Sequence, residues 1–187
     1  MHRLFVGIDP PFDVKDALME AMGGIIGARW QSEDQLHLTL RFLGERSFRE
    51  ADDIAEALAG VRTRSVAIGI AGVGLFDRRG RPNQLWARVS PPQDATRLHR
   101  KVDRALLRIG IPGETRAFLP HITLARFSSG SGPLDDFMVR HGDLKIPTYT
   151  ADEFCLYESR LTSAGAEYTI VERYPFAQES LFGPSFL

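Results

Sequence analysis

The chain carries one cysteine, Cys155, in 187 residues. That excludes an internal disulfide framework and any CxxC redox or zinc site. It also lacks a dominant charge: 23 Lys and Arg stand against 24 Asp and Glu, a formal charge of −1. Proteins that coat long nucleic acid carry a strong basic excess, so any contact with nucleic acid is expected to be local, at an end or a loop. No apolar run approaches the roughly 18–20 residues of a membrane helix. The apolar stretch at residues 4–8 is too short for a signal peptide. The expectation is a cytoplasmic monomer with no membrane partner. Lysine is scarce: Lys15, Lys101 and Lys145 are outnumbered by Arg. Arginine suits bidentate phosphate contacts, although genomic composition bias is the plainer account. Gly69, Gly72 and Gly74 do not form G-x-G-x-x-G, and neither a P-loop nor G-x-S-x-G is present.

What is present is a pattern that occurs twice. Residues 4–10 form a β-like run ending at Pro10, and residues 85–91 form another ending at Pro91. Behind the first, Val14, Leu18, Ala21, Met22 and Ile25 fall at helical spacing; behind the second, Leu98, Val102, Ala105, Leu106 and Ile109 do the same. Asp13 and Asp94 are the expected N-caps, and Gly27 and Gly110 the expected stops. A second β-like run follows each helix, at residues 37–42 and 121–127. Ser47-Phe48-Arg49-Glu50 has capping-box form, and Ala51, Ile54 and Leu58 supply an apolar face. Its weaker counterpart opens at Gly132-Pro133, with Leu134, Phe137 and Met138. Strand-like sequence closes each half, at 66–76 and at 148–157 with 168–174. Residues 78–82 read as a turn. The order β-α-β-α-β, then β-α-β-α-β-β, predicts an α+β domain of two pseudo-equivalent lobes, with sequence halves of about 1–80 and 81–187.

The second strand of each half carries chemistry. On an extended strand, residues i and i+2 share a face. His37 and Thr39 therefore point together, as do His121 and Thr123, while Leu38, Leu40 and Phe42 are expected to turn into a core with Ile122 and Leu124. Five His and nine Thr yield roughly 0.24 H-x-T triplets by chance, so two copies at matching points of a repeat are informative. A buried structural histidine is the bland reading of either copy alone. A zinc site needs three or four ligands; two His are supplied, and Glu33, Asp34 and Glu45 lack ligand spacing. Two imidazoles facing one groove suit acid–base catalysis near neutral pH. Thr hydroxyls can donate to an oxyanion between them. Hydrolysis of a cyclic phosphodiester is the best-matched reaction.

The segments Arg3-Leu4-Phe5-Val6-Gly7-Ile8, His37-Leu38-Thr39-Leu40-Arg41-Phe42-Leu43-Gly44, residues 76–86 and Pro120-His121-Ile122-Thr123-Leu124-Ala125-Arg126 resemble the 2H phosphoesterase superfamily. Within it, the chain is most similar to the RNA 2',3'-cyclic phosphodiesterases, or LigT-like 2'-5' RNA ligases. The resemblance spans essentially the whole chain. It implies a bilobal fold of two pseudo-symmetric, intertwined lobes, each an antiparallel sheet backed by helices, with the active site in the groove between them. It implies opening of a terminal 2',3'-cyclic phosphate to a 2'-phosphomonoester without metal or other cofactor. It also implies reversible 2'-5' joining of RNA ends such as tRNA halves. By position, His37 and His121 become the acid–base pair, Thr39 and Thr123 phosphate ligands, and Arg126 a phosphate-contacting arginine. A small cyclic nucleotide, an ADP-ribose cyclic phosphate, or binding of RNA ends without turnover are the alternatives.

Strict alternation sets Arg126 on the face opposite His121 unless a bulge re-aims it. The same alternation sets Arg41 beside His37 and Thr39, where lining the cleft and lying solvated are equally expected. The turn Arg78-Arg79-Gly80-Arg81 reads as a solvated hairpin tip rather than an RNA guide. Trp30, Trp86, Phe5 and Phe42 read as core rather than as base-stacking platforms. His2, His99 and His141 sit in surface-like contexts and receive no role.

Overall fold

A computed structural model describes residues 1–128, 130–163 and 165–177. The strands are β1 (His2–Ile8), β2 (Arg29–Trp30), β3 (Leu38–Arg46), β4 (Val66–Arg78), β5 (Arg81–Ser90), β6 (His121–Arg126), β7 (Lys145–Ala151), β8 (Glu153–Thr162) and β9 (Gly165–Pro175). The helices are α1 (Phe12–Glu20), α2 (Phe48–Ala59), α3 (Gln93–Arg108) and α4 (Asp135–His141). Apart from the short β2 and the division of the 148–157 run between β7 and β8, this is the expected order.

All strand pairs are antiparallel, in the order β7-β4-β5-β6-β3-β1-β8-β9, with β2 on β6. The middle of that path is thin. β3 and β6 meet through one residue pair, Leu38 and Ile122. One side of the seam has β7, β4, β5 and β6 with the short β2, the other has β3, β1, β8 and β9, and the two sets exchange sequence: β4 joins β5, β6 and β7, while β8 and β9 join β1 and β3.

One face of this sheet is closed by the main core. Leu4, Val6 and Ile8 of β1, Leu38 and Leu40 of β3, and Ile122 and Leu124 of β6 reach it alongside Ile54 and Leu58 of α2 and Leu98, Val102 and Leu106 of α3. The opposite face of β1 and β8 carries a small second cluster of Phe5, Cys155 and Tyr157. This is alternation at work: Phe5 lies between Leu4 and Val6 in sequence and faces the other way.

The helix ends correct part of the sequence reading. Neither Asp13 nor Asp94 is an N-cap; Pro11 and Pro92 take those positions without side-chain caps. Asp13 lies in the first turn, where a carboxylate complements the helix dipole. Asp94 accepts a hydrogen bond from Ala67 N–H at 3.1 Å, so it ties α3 to β4 instead. α1 ends at Glu20, not near Gly27, because Gly23 and Gly24 turn to positive φ; Ala21 and Ile25 are nonetheless buried. The stop at Gly110 holds: the amides of Gly110 and Ile111 close back on Leu107 and Leu106 at 3.0 Å. The capping box at Ser47 also holds, with Glu50 N–H donating to Ser47 Oγ and Ser47 N–H donating to Glu50 Oε2.

Candidate active site

The Leu38–Ile122 pair positions everything else. Both side chains are fully buried on the core face. Their sequence neighbours His37, Thr39, His121 and Thr123 therefore project from the open face, all four partly exposed. Continuing the antiparallel register sets His37 across from Thr123 and Thr39 across from His121. Two imidazoles and two hydroxyls thus share one patch astride the seam.

Both central strands carry the same irregularity. In β3, Thr39 pairs with Gly7 and Arg41 with Val6, so Leu40 is left over. In β6, Thr123 pairs with Trp86 and Ala125 with Leu85, so Leu124 is left over. Each extra residue is a β-bulge. Its carbonyl finds a donor outside the ladder: Leu40 C=O accepts from His99 Nδ1–H, and Leu124 C=O from Gln31 N–H, each at 2.8 Å.

A bulge shifts the phase of alternation, and the side chains show it. Leu124 and Ala125 are both buried, and Arg126 emerges on the exposed face with His121 and Thr123. This is the re-aiming that Arg126 required. In β3 the same shift overturns two expectations. Arg41 does not line the groove; it is 7 % exposed and held by Asp103 at 3.1 Å, Glu114 at 3.0 Å and the Pro112 carbonyl. Phe42 is not in the core; it is 60 % exposed, at the point of β3 that corresponds to Arg126 in β6. His99 is not a surface residue without a role. It is half-buried, stacked on Phe118 at 4.1 Å, and supports the first bulge.

The two histidines have matching surroundings. Nδ1 of His37 lies 2.8 Å from Gln35 C=O, and Nδ1 of His121 lies 2.7 Å from Leu119 C=O. A carbonyl can only accept, so each Nδ1 carries the hydrogen and each Nε2 is left for chemistry. Aromatic rings wall both. Phe5 lies 4.7 Å from His37, and Tyr168 meets it edge-on at 5.1 Å. Phe76 and Trp86 lie 5.0 and 5.7 Å from His121. The Trp86 ring occupies space over Gly74, where a Cβ would overlap it. Trp30, Trp86 and Phe5 are packed within the protein, as expected of core aromatics.

Burial in these walls lowers His37 to about 4, against the opposing pull of its Gln35 bond; the charges of His121, Arg126 and Lys15 push the same way as burial. Burial also lowers His121, opposed by its Leu119 bond and aided by Arg126. An anion between the rings reverses part of this by favouring the protonated forms.

No sequence signal singles out Gln84. Its Nε2 donates to Thr123 Oγ at 2.7 Å, and its Oε1 accepts from the Arg126 guanidinium at 3.5 Å. With its oxygen already accepting, the Thr123 hydroxyl keeps its own hydrogen free to donate into the groove. Gln84 and Arg126 are also cross-strand partners of β5 and β6, which only the folded register reveals. Among the described residues, no three His, Cys, Asp or Glu side chains cluster as a metal set. Among them also, no helix is long and apolar enough to cross a membrane.

The chain is similar to known proteins along most of its length. The chain is 31% identical over 192 residues to an RNA 2',3'-cyclic phosphodiesterase of Thermus thermophilus, covering 95% of this chain and 91% of that one. A longer relative of the same name from Geobacillus stearothermophilus is 27% identical, and the chain spans 56% of its length. Among solved structures, TT0787 of Thermus thermophilus superposes with a TM-score of 0.80 and 28% identity, covering 95% of this chain and 100% of that chain. Escherichia coli LigT complexed with 3'-AMP superposes with a TM-score of 0.77 and 25% identity, covering 95% and 99%. The model of the LigT-like phosphoesterase family matches residues 8–86 and again 88–168, one match for each half of the repeat, and the chain belongs to that family.

Proposed function

We propose that the chain is a phosphodiesterase that opens 2',3'-cyclic phosphates at RNA ends to 2'-phosphomonoesters, using His37 and His121 as a proton-transfer pair. Supporting this reading, the Thermus and Geobacillus relatives are named RNA 2',3'-cyclic phosphodiesterases, and the Escherichia coli LigT structure is a complex with 3'-AMP. The observation that carries the mechanism is the matched pair of imidazoles, each with Nδ1 tied to a carbonyl two residues back.

In the reaction, a neutral Nε2 takes a proton from water as its oxygen attacks phosphorus. The P–O3' bond breaks, and the second ring, protonated, gives its proton to O3'. The phosphate stays on O2'. Thr39 and Thr123 donate to the non-bridging oxygens, and Arg126 balances their charge. The negative phosphate itself raises the depressed imidazole pKa values, so the acid form is assembled with the substrate. In the ligation direction an RNA 5'-hydroxyl replaces water, the same bond breaks, and a 2'-5' phosphodiester results.

The test is incubation with 2',3'-cyclic AMP and with a cyclic-ended oligonucleotide, in EDTA, with the product isomer identified. A 2'-phosphate from both is expected. A 3'-phosphate, or loss of all turnover in chelator, overturns the reading.

A further inference from the structure

Next to the histidine patch lies a cavity of about 550 Å3. Four arginines line it: Arg29, Arg78, Arg81 and Arg126. No Asp or Glu is among its lining residues.

The register makes this charge concentration unusual. Arg78 and Arg81 are direct cross-strand partners, flanking the two-residue turn at Arg79 and Gly80, whose φ values are 57° and 75°. Arg29 and Arg126 are direct cross-strand partners of β2 and β6. Like charges set directly opposite one another destabilise a strand pair. Two such pairs, from four different strands, converge on one concavity. Asn83, on the same wall, keeps its Oδ1 buried with no hydrogen-bond partner in the protein. A wall of guanidiniums is built for phosphate oxygens.

Arg126 belongs to both places. It lines this cavity, and its charge acts on both histidines. A phosphate at the histidines and a second phosphate in the cavity therefore share one guanidinium as neighbour. We propose that the cavity binds the internucleotide phosphodiester immediately 5' of the terminal nucleotide. Arg78 and Arg81 make the charge contact there, and the enzyme thereby favours oligonucleotide ends over mononucleotides. This rests on the reaction proposed above.

The test compares 2',3'-cyclic AMP with a dinucleotide ending in the same cyclic phosphate, in the wild type and in Arg78→Ala/Arg81→Ala. The wild type is expected to favour the dinucleotide in kcat/KM by about tenfold or more, the scale of one charge-assisted contact. The double variant should lose that preference while hydrolysing the mononucleotide at the wild-type rate. A dinucleotide with a neutral methylphosphonate linkage should behave, in the wild type, like the mononucleotide. Equal use of the charged and neutral linkages by the wild type overturns the proposal, as does a variant that keeps its preference. If no substrate turns over, the reading of the reaction fails by itself. Calorimetric binding of the 2'-phosphate product in its mono- and dinucleotide forms then decides the subsite: about tenfold tighter dinucleotide binding, lost in the variant, supports it, and equal binding overturns it.

Discussion

Leu40 and Leu124 are the same residue of the repeat in structural terms: each is left unpaired three positions after its histidine, and each turns the strand's following side chains over. The consequence differs between halves. One bulge buries Arg41 and exposes Phe42; the other buries Ala125 and exposes Arg126. The two arginines therefore predict opposite phenotypes.

Arg41→Leu should lower stability by roughly 2–4 kcal/mol, because Asp103 and Glu114 lose their buried cation. Its turnover per folded molecule should stay near wild type. Arg126→Leu should lower kcat/KM by about tenfold or more with little change in Tm. Thermal melts and steady-state kinetics on both variants check the pair of outcomes; a stable, inactive Arg41→Leu would restore Arg41 to the groove.

His37→Ala and His121→Ala should each lose about 100-fold or more in kcat. A proton-transfer pair, as proposed, acts as a unit, so the double variant should lose little beyond the worse single. Additive losses in kcat would mean the rings serve separate steps.

Gln84→Ala should lower kcat/KM by roughly threefold to tenfold, through a misdirected Thr123 hydroxyl and a looser Arg126. In a double-mutant cycle with Thr123→Ala the effects should fall short of additive. Full additivity would show that Gln84 acts elsewhere.

Stability should depend on pH through His37. Its folded value of about 4 lies below the unfolded value of ~6.5. Between those limits the unfolded chain binds more protons, so stability rises with pH across the window and the penalty is complete below about 4. The contribution is on the order of 3 kcal/mol. His37→Gln should flatten that part of the Tm-versus-pH curve, and an unchanged slope would assign the dependence to other groups.

Much of this molecule is legible from local pattern. The repeat, the Ser47 capping box, the Gly110 stop and the two His-x-Thr strands are all short-range signals, and each appears where its spacing puts it. Arg41 and Phe42 are misassigned for one reason. A bulge is defined by the partner strand, so period-two alternation carried past Leu40 assigns both to the wrong face. Gln84 is silent in the sequence because its meaning lies in β6, about forty positions away. The cluster of Arg29, Arg78, Arg81 and Arg126 is equally hidden: three separate segments supply it, and the Arg78–Arg81 turn alone looks like a solvated tip.

The central claim is that the His37 and His121 rings flank one phosphate. Titrating imidazole-15N-labelled protein with 2'-AMP and following both Nε2 resonances tests it most directly. The account predicts that both signals move along one saturation curve of 1:1 stoichiometry, toward the protonated form. Movement of one ring alone, or of neither at saturating nucleotide, contradicts it.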